Sequence, residues 1–187
     1  MRKNNSKMTD YLNTMLISPN KVKAYGVLNL NVDDSVVGTA IRTSQNVYLV
    51  DIIGIDLVQR LQELVYNKIR NIEGDKIDDD DMIAYKTLLD DYVEPVLVYR
   101  TAVEVARIQS LKIRNMGVIK NSDTNVNAGT LADIEYIGQY NETLFYDFVN
   151  KMVGYLCENK KAIKESVIDC SCASRPLYAR TNLWLGK

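Results

Sequence analysis

Histidine is absent from this chain of 187 residues. Its absence removes the commonest general base, the usual activating partner of a serine or cysteine nucleophile, and the commonest metal ligand. Glycine-rich phosphate-binding loops are missing as well, since neither G-x-G-x-x-G nor G-x-x-x-x-G-K-[ST] occurs. The sequence therefore predicts a protein that is not an enzyme and that holds no cofactor.

Cysteine is scarce, with three residues at positions 157, 170 and 172. An odd number in a chain that is not a small secreted scaffold argues against a disulfide framework. Cys170 and Cys172 would supply two ligands of a zinc site and Cys157 a third, but no histidine completes the tetrahedral set. We predict ordinary thiols and no metal site, and a cysteine-dependent enzyme is a minor alternative.

Long hydrophobic runs are also lacking. No run approaches the roughly 20 apolar residues that a membrane span requires. The polar residues at positions 1–7 are not followed by the apolar core of a signal peptide. We therefore expect no membrane partner and synthesis in a reducing cytoplasm.

The net charge is only −1, but it is unevenly distributed. Residues 1–32 and residues 160–187 each carry +4, which leaves −9 on residues 33–159. This distribution favours basic ends that bind acidic neighbours, such as other copies of the same chain. Two solvated tails are the alternative interpretation.

Helical periodicity dominates residues 33–166. It predicts a mainly α fold, a compact bundle of about five to six helices, with extended arms at residues 1–32 and 167–187. The expected helices cover residues 33–44, 48–53, 55–70, 80–92, 94–116 and 130–166. Between residues 22 and 32 apolar and polar residues alternate, which favours a small β element.

Some expectations concern single positions. Asp33 or Asp34 is expected to cap the first helix of the bundle through its carboxylate. Gly54 is expected to take a left-handed conformation at a helix end. Within the later helices, Ile83 is predicted to face the core and Arg100 to lie on the polar face.

The stretch at residues 46–70, NVYLVDIIGIDLVQRLQELVYNKIR, is the most informative part of the sequence. An apolar helix, Gly54 and an amphipathic helix follow one another, and the second helix has this apolar face: Leu57, Val58, Leu61, Leu64, Val65 and Ile69. The pattern Y-L-V-x-x-I-G, followed by D-L-x-x-x-L, resembles the helical core of head–tail connector (adaptor) proteins of tailed bacteriophages. The likeness is greatest to those of crAss-like and Bacteroidetes-infecting phages, and it covers residues 33–118.

This resemblance implies a structural virion protein. Proteins of this kind form a portal-adjacent ring, commonly twelvefold, which binds the portal on one side and the next neck or tail protein on the other. The implied partners are further copies of the chain, the portal protein and the next neck or tail protein, with non-specific proximity to genomic DNA. The implied location is the neck of the virion, after assembly in the host cytoplasm. The alternative is a non-viral cytoplasmic helical scaffold.

The candidate partner-binding residues lie in the C-terminal tail (residues 167–187) and in an acidic loop (residues 71–81). Tryptophan, tyrosine and arginine are enriched in interface hot spots, and the tail combines them with leucine: Arg175, Tyr178, Arg180, Leu183, Trp184 and Leu185. A tail that folds back on its own helices is the alternative. The candidates in the acidic loop are Asp78, Asp79 and Asp80. The loop lacks the ligand and glycine positions of a calcium loop, which favours a solvated loop that ends in a helix N-cap. In the connector role that the resemblance implies, we expect it to face a basic neighbour or the ring lumen, where carboxylates repel DNA phosphates.

Overall fold

The structure is a computed structural model that describes residues 11–26, 32–69, 80–114, 117–120, 131–168 and 170. In this part of the chain the protein is mainly helical, which confirms the predicted fold class. The helices are α1 (Pro19–Tyr25), α2 (Asp34–Thr43), α3 (Val50–Ile53), α4 (Ile55–Tyr66), α5 (Asp80–Thr87), α6 (Glu94–Ser110) and α7 (Leu131–Glu158). A π-helical segment at Ser44–Leu49 joins α2 to α3, and a second at Leu88–Val93 joins α5 to α6.

Helices α6 and α7 form the centre of the bundle and run antiparallel. Tyr92, just before α6, stacks on Tyr155 with 4.5 Å between ring centroids. Tyr99 stacks on Phe148 at 5.4 Å. Residue numbers thus rise along one helix while they fall along the other. The core around this pair is aliphatic. Burial of each such side chain contributes about 1.5–3 kcal/mol to the free energy of folding. The core includes Leu57, Leu61, Leu88, Leu97, Val149, Met152 and Leu156.

The corner between α3 and α4 depends on Gly54. Its φ is +87°, a conformation that residues with a Cβ rarely adopt. A Cβ at this position would also lie 2.9 Å from both methyl carbons of Val167. The predicted left-handed glycine is therefore confirmed, and a substitution would meet both backbone strain and a close contact.

The N-terminal segment is held to the bundle by two buried glutamines. Gln45, in the first π-helical segment, accepts a hydrogen bond from the backbone N–H of Leu16 at 2.9 Å. Its amide donates to the carbonyl of Thr14 at 3.2 Å. Gln62 of α4 donates to the carbonyls of Leu12 and Thr14, at 2.8 and 3.1 Å. Because these bonds satisfy buried backbone groups, residues 12–16 are fixed against the helices.

The β element expected at residues 22–32 is wrong for residues 22–25, which belong to α1. Residues 27–31 lie outside the described part. Ser18 caps α1 by accepting a hydrogen bond from the N–H of Lys21, and Pro19 occupies the first turn. These start signals outweigh the alternating pattern because they satisfy the helix N-terminus locally. Asp33 caps α2 in the same way, with the Ser35 N–H 2.8 Å from its carboxylate, as predicted.

Three predicted helices are too long. The helix expected to reach residue 70 ends at Tyr66. The helix expected to reach residue 116 ends at Ser110, and a hairpin follows, in which β1 (Leu111–Arg114) pairs antiparallel with β2 (Gly117–Lys120). The helix expected to reach residue 166 ends at Glu158. Just after this end, the backbone N–H and the side-chain amide of Asn159 both donate to the carbonyl of Tyr155, each at 3.0 Å.

The predicted inward position of Ile83 is also wrong, since 42% of this residue is exposed. Helix α5 is short, and its neighbours Ala84 and Tyr85 occupy the buried side instead. A helical stripe of apolar residues does not by itself determine which edge of the stripe meets the core.

The chain returns to the bundle after α7 through a strap, defined here as residues 159–170. Ile163 and Ile168 of the strap are buried in the core. Cys157 at the end of α7 forms a disulfide with Cys170, with 5.5 Å between the Cα atoms. The expectation of ordinary thiols is therefore wrong for this pair. Sequence spacing could not reveal the bridge, because the contact depends on how the strap folds back.

Candidate docking surface

The predicted partner-binding residues lie almost entirely outside the described residues. This holds for all six positions in the C-terminal tail: Arg175, Tyr178, Arg180, Leu183, Trp184 and Leu185. It also holds for Asp78 and Asp79 in the acidic loop. Asp80 is described, as the exposed first residue of α5, where its charge favours the helix dipole.

An apolar cleft opens between α1, α6 and α7. Its volume is about 220 Å³. Aromatic and aliphatic side chains form its walls, with one carboxylate among them; the lining residues are Tyr25, Glu94, Pro95, Val98, Tyr99 and Phe148. Tyr25 is 68% exposed although it borders this apolar surface. An exposed aromatic beside a concave apolar surface is typical of a binding site.

An ion pair links α1 to the start of α6 at the cleft. The ammonium of Lys21 lies 2.5 Å from Oε2 of Glu94. Lys151 of α7 covers the outer face of Phe148, with its Nζ 4.8 Å from the ring centroid. Because Tyr25 of α1 lines the cleft together with residues of α6 and α7, the docked N-terminal segment forms part of it.

A second polar cluster lies inside the bundle and is centred on Arg100. The sequence placed Arg100 on the outer polar face, but only 3% of the residue is exposed, so that prediction is wrong. Its guanidinium lies 2.6 Å from Glu104 and 3.5 Å from Glu142. It also lies over the ring of Tyr48, 3.5 Å from the centroid. The π-helical segment carrying Tyr48 packs on α6, and Tyr48 there covers the cation.

Several polar atoms near this level of the bundle are buried without a hydrogen-bond partner among the described residues: Ser44 Oγ, Arg100 Nε and Thr101 Oγ1. Such groups cost stability, because burial removes their bonds to water. The cluster therefore determines how three elements are arranged but adds little to the net free energy of folding. Because Arg100 at its centre is buried, the cleft is the better candidate for a functional surface among the described residues.

Tyr85 of α5 joins the strap by donating a hydrogen bond to the carboxylate of Glu165. Burial raises the pKa of Tyr85 above its usual range, and the hydrogen bond and negative charge of Glu165 raise that pKa further. Burial likewise raises the pKa of Tyr155, whose hydroxyl donates to the carbonyl of Ala84 at 3.0 Å. Both phenols act as structural donors rather than as bases.

A third surface feature lies at the far end of the central helix pair. Tyr136 and Tyr140, near the start of α7, are exposed, as is Ile108 near the end of α6. Antiparallel packing brings these two helix ends to the same end of the bundle. Exposed tyrosines are suited to subunit contacts, because each combines a large apolar ring with a solvated hydroxyl.

Two classes of site receive no support from the described residues. No group of three or more Cys, Asp or Glu side chains there is arranged to hold a metal ion. None of the helices in this part of the chain is long and apolar enough to cross a membrane.

A family described as "Family of unknown function (DUF6712)" matches residues 49–176, about two thirds of the chain. The chain belongs to this family. No curated protein and no solved structure matches it. The DUF6712 region begins in the first π-helical segment and includes the Gly54 corner, the central pair α6 and α7, and the disulfide. It leaves out α1, so one wall of the cleft lies outside the region that defines the family.

Sequence reasoning missed the cleft residues because they come from three separate helices. Tyr25 falls within the predicted alternating strand, and Val98 and Tyr99 fall on the apolar side of the predicted helix at residues 94–116. The available signal was the tyrosine content, twelve Tyr against two Phe and one Trp. It indicated interfaces, but it did not say which tyrosines would meet.

Proposed function

We propose that this protein is a structural virion component that forms a head–tail connector ring under the portal. In this role it bridges the portal and the next neck or tail protein and surrounds the DNA exit channel. The observation that carries the proposal is the resemblance of Y-L-V-x-x-I-G and D-L-x-x-x-L at residues 48–61 to connector proteins. In the fold these residues form the end of the first π-helical segment, α3, the Gly54 corner and the first half of α4.

The distribution of side chains supports an assembling protein. Leu49, Ile53 and Leu57, from the segment that carries the resemblance, are fully buried, so this segment stabilises a single subunit. Exposed aromatics remain for partners, at Tyr25 beside the cleft and at Tyr136 and Tyr140 on the distal end of α7. A subunit with a complete core and separate aromatic surface patches is suited to ring formation.

The charge distribution supports the same role. Residues 33–159 carry −9, and Asp80 and Asp81 are exposed at the start of α5. We propose that the acidic loop ending at these residues faces the lumen or a basic neighbour. Carboxylates at the lumen would repel the phosphates of DNA and allow the duplex to slide without binding.

The test is the mass of the purified chain by light scattering, alone and mixed with the portal protein of the same phage, with electron microscopy of any large species. We expect a ring of many copies, formed by the chain alone or on the portal. A monomer that does not bind the portal would overturn the proposal and favour the non-viral scaffold. An acidic loop on the outer rim without a partner would overturn only the lumen assignment.

A further inference from the structure

We propose that the apolar cleft binds Trp184 from the C-terminal tail of a neighbouring copy, so that successive subunits are joined through this site. The inference rests on the proposed function, because it requires an assembly. It joins two separate observations, namely a cleft that the described residues leave open and a tail that carries the only tryptophan of the chain.

The size of the cleft selects the class of ligand. Its volume of about 220 Å³ exceeds the roughly 150 Å³ of a cavity that holds one benzene. It is below the roughly 300 Å³ at which pockets for drug-sized molecules begin. One large aromatic side chain fits this range, whereas a nucleotide or a similar cofactor does not.

The chemistry of the walls suits an indole. Tyr99 and Phe148 present stacked rings, and Pro95 and Val98 add apolar surface. The indole N–H is a donor without an acceptor function, and Glu94 supplies a carboxylate among the described residues that line the cleft.

Charge favours this tail as the occupant. Residues 171–187 contain Arg175, Arg180 and Lys187 and no acidic residue. The body that receives them, residues 33–159, carries −9. A basic aromatic segment is therefore attracted to the surface of the body before its aromatic side chain enters the cleft.

The length of the tail allows it to reach another subunit. The disulfide fixes Cys170 to the end of α7, and Phe148 lies nine residues before Cys157, about 14 Å along that helix. Trp184 follows Cys170 by fourteen residues, which span up to about 46 Å when extended. This reach is roughly three times the distance along α7, so the length of the tail does not confine Trp184 to the cleft of its own chain.

The test uses tryptophan fluorescence of the full-length protein, which reports on Trp184 alone. In the assembled protein we expect blue-shifted emission and weak quenching by acrylamide. Tyr25→Ala should shift the emission to the red and weaken assembly at least about tenfold, as expected for loss of a hot-spot contact. Tyr66→Ala is the matched control, because Tyr66 is also exposed but lies on α4 away from the cleft, and it should change neither quantity.

A second variant, Trp184→Ala, should weaken assembly as much as Tyr25→Ala and leave the unfolding of the helical body unchanged. Rings that form with an exposed indole and do not respond to Tyr25→Ala would overturn the cleft assignment and leave the connector proposal standing. A shielded indole that responds to Tyr25→Ala in a monomer at every concentration would show docking in the same chain, and would overturn the neighbouring-copy assignment. An exposed indole in a chain that never assembles would overturn both proposals.

Discussion

Arg100 connects three elements of the bundle through one side chain. It reaches Glu104 within α6, Glu142 on α7 and the ring of Tyr48 in the first π-helical segment. A buried cation is tolerated when it is paired, but removal of one partner leaves an uncompensated charge. Arg100 therefore sets the relative position of these elements.

We expect Arg100→Ala to lower the free energy of unfolding by about 3–5 kcal/mol, because Glu104 and Tyr48 lose a buried partner. Arg107→Ala is the control: Arg107 also contacts Glu104, at 3.0 Å, but its side chain is 54% exposed. The control should cost less than about 1 kcal/mol. Urea unfolding followed by circular dichroism measures both, and equal losses would contradict a special role for burial.

Tyr85 makes stability depend on alkaline pH. Its pKa is raised in the folded protein by burial and by Glu165, so the folded state retains the phenolic proton more strongly than the unfolded chain. The contribution of Tyr85 to stability is therefore complete below about pH 10, the usual tyrosine pKa, and is lost as the pH rises above it.

Tyr85→Phe should consequently make the loss of stability above about pH 10 less steep, as measured by urea unfolding over an alkaline pH series. Tyr136→Phe, at an exposed tyrosine, should follow the original protein. If Tyr85→Phe leaves the alkaline slope unchanged, the ionisation of Tyr85 does not control it.

At the level of elements, the sequence predicted what local periodicity and capping determine. The α4 stripe beginning at Leu57, the Asp33 cap and the Gly54 corner are all present as predicted. The errors occur where tertiary contacts decide the outcome. A π-helical segment orients Tyr48 toward Arg100, strand pairing ends α6 early, and the fold of the strap joins Cys157 to Cys170. The cleft combines three helices that are distant in sequence, which no local pattern encodes.

The Gly54 corner gives a prediction for the α3–α4 element. Gly54→Ala combines an unfavourable φ of +87° with a 2.9 Å approach to Val167, and we expect a loss of about 1–3 kcal/mol. Gly138→Ala is the matched control, because Gly138 lies within α7 and an added Cβ meets nothing within 4 Å. It should stabilise the protein by up to about 1 kcal/mol. Thermal unfolding of both variants tests the contrast, which two losses of similar size would contradict.

The disulfide gives a prediction for the strap. It closes a loop with a sequence separation of 13, so reduction should lower the free energy of unfolding by about 3 kcal/mol. Cys157→Ser should remove the response to reductant. Cys172→Ser should retain it, because Cys172 is not part of the bridge. Urea unfolding with and without reductant measures the effect, and a Cys172→Ser protein that no longer responds would indicate a different pairing.

At the scale of the whole molecule, the proposed assembly predicts that the acidic body and the basic ends determine how copies meet. The +4 on residues 1–32 and on residues 160–187 opposes −9 on residues 33–159, so each copy carries complementary surfaces. Two copies that approach each other therefore repel less than two uniformly acidic chains would. The same charges provide a means to separate electrostatic docking from purely apolar docking.

We expect assembly to weaken as salt rises from about 0.1 M to about 1 M, because the screening length falls from about 10 Å to about 3 Å. The double variant Arg175→Glu with Arg180→Glu should reproduce this weakening at low salt and should itself respond little to added salt. Light scattering at several protein concentrations measures the midpoint of assembly in each case. Assembly that is equally strong at both salt concentrations and unaffected by the double variant would mean that the basic ends are solvated and that apolar contacts, such as those of the cleft, hold the copies together.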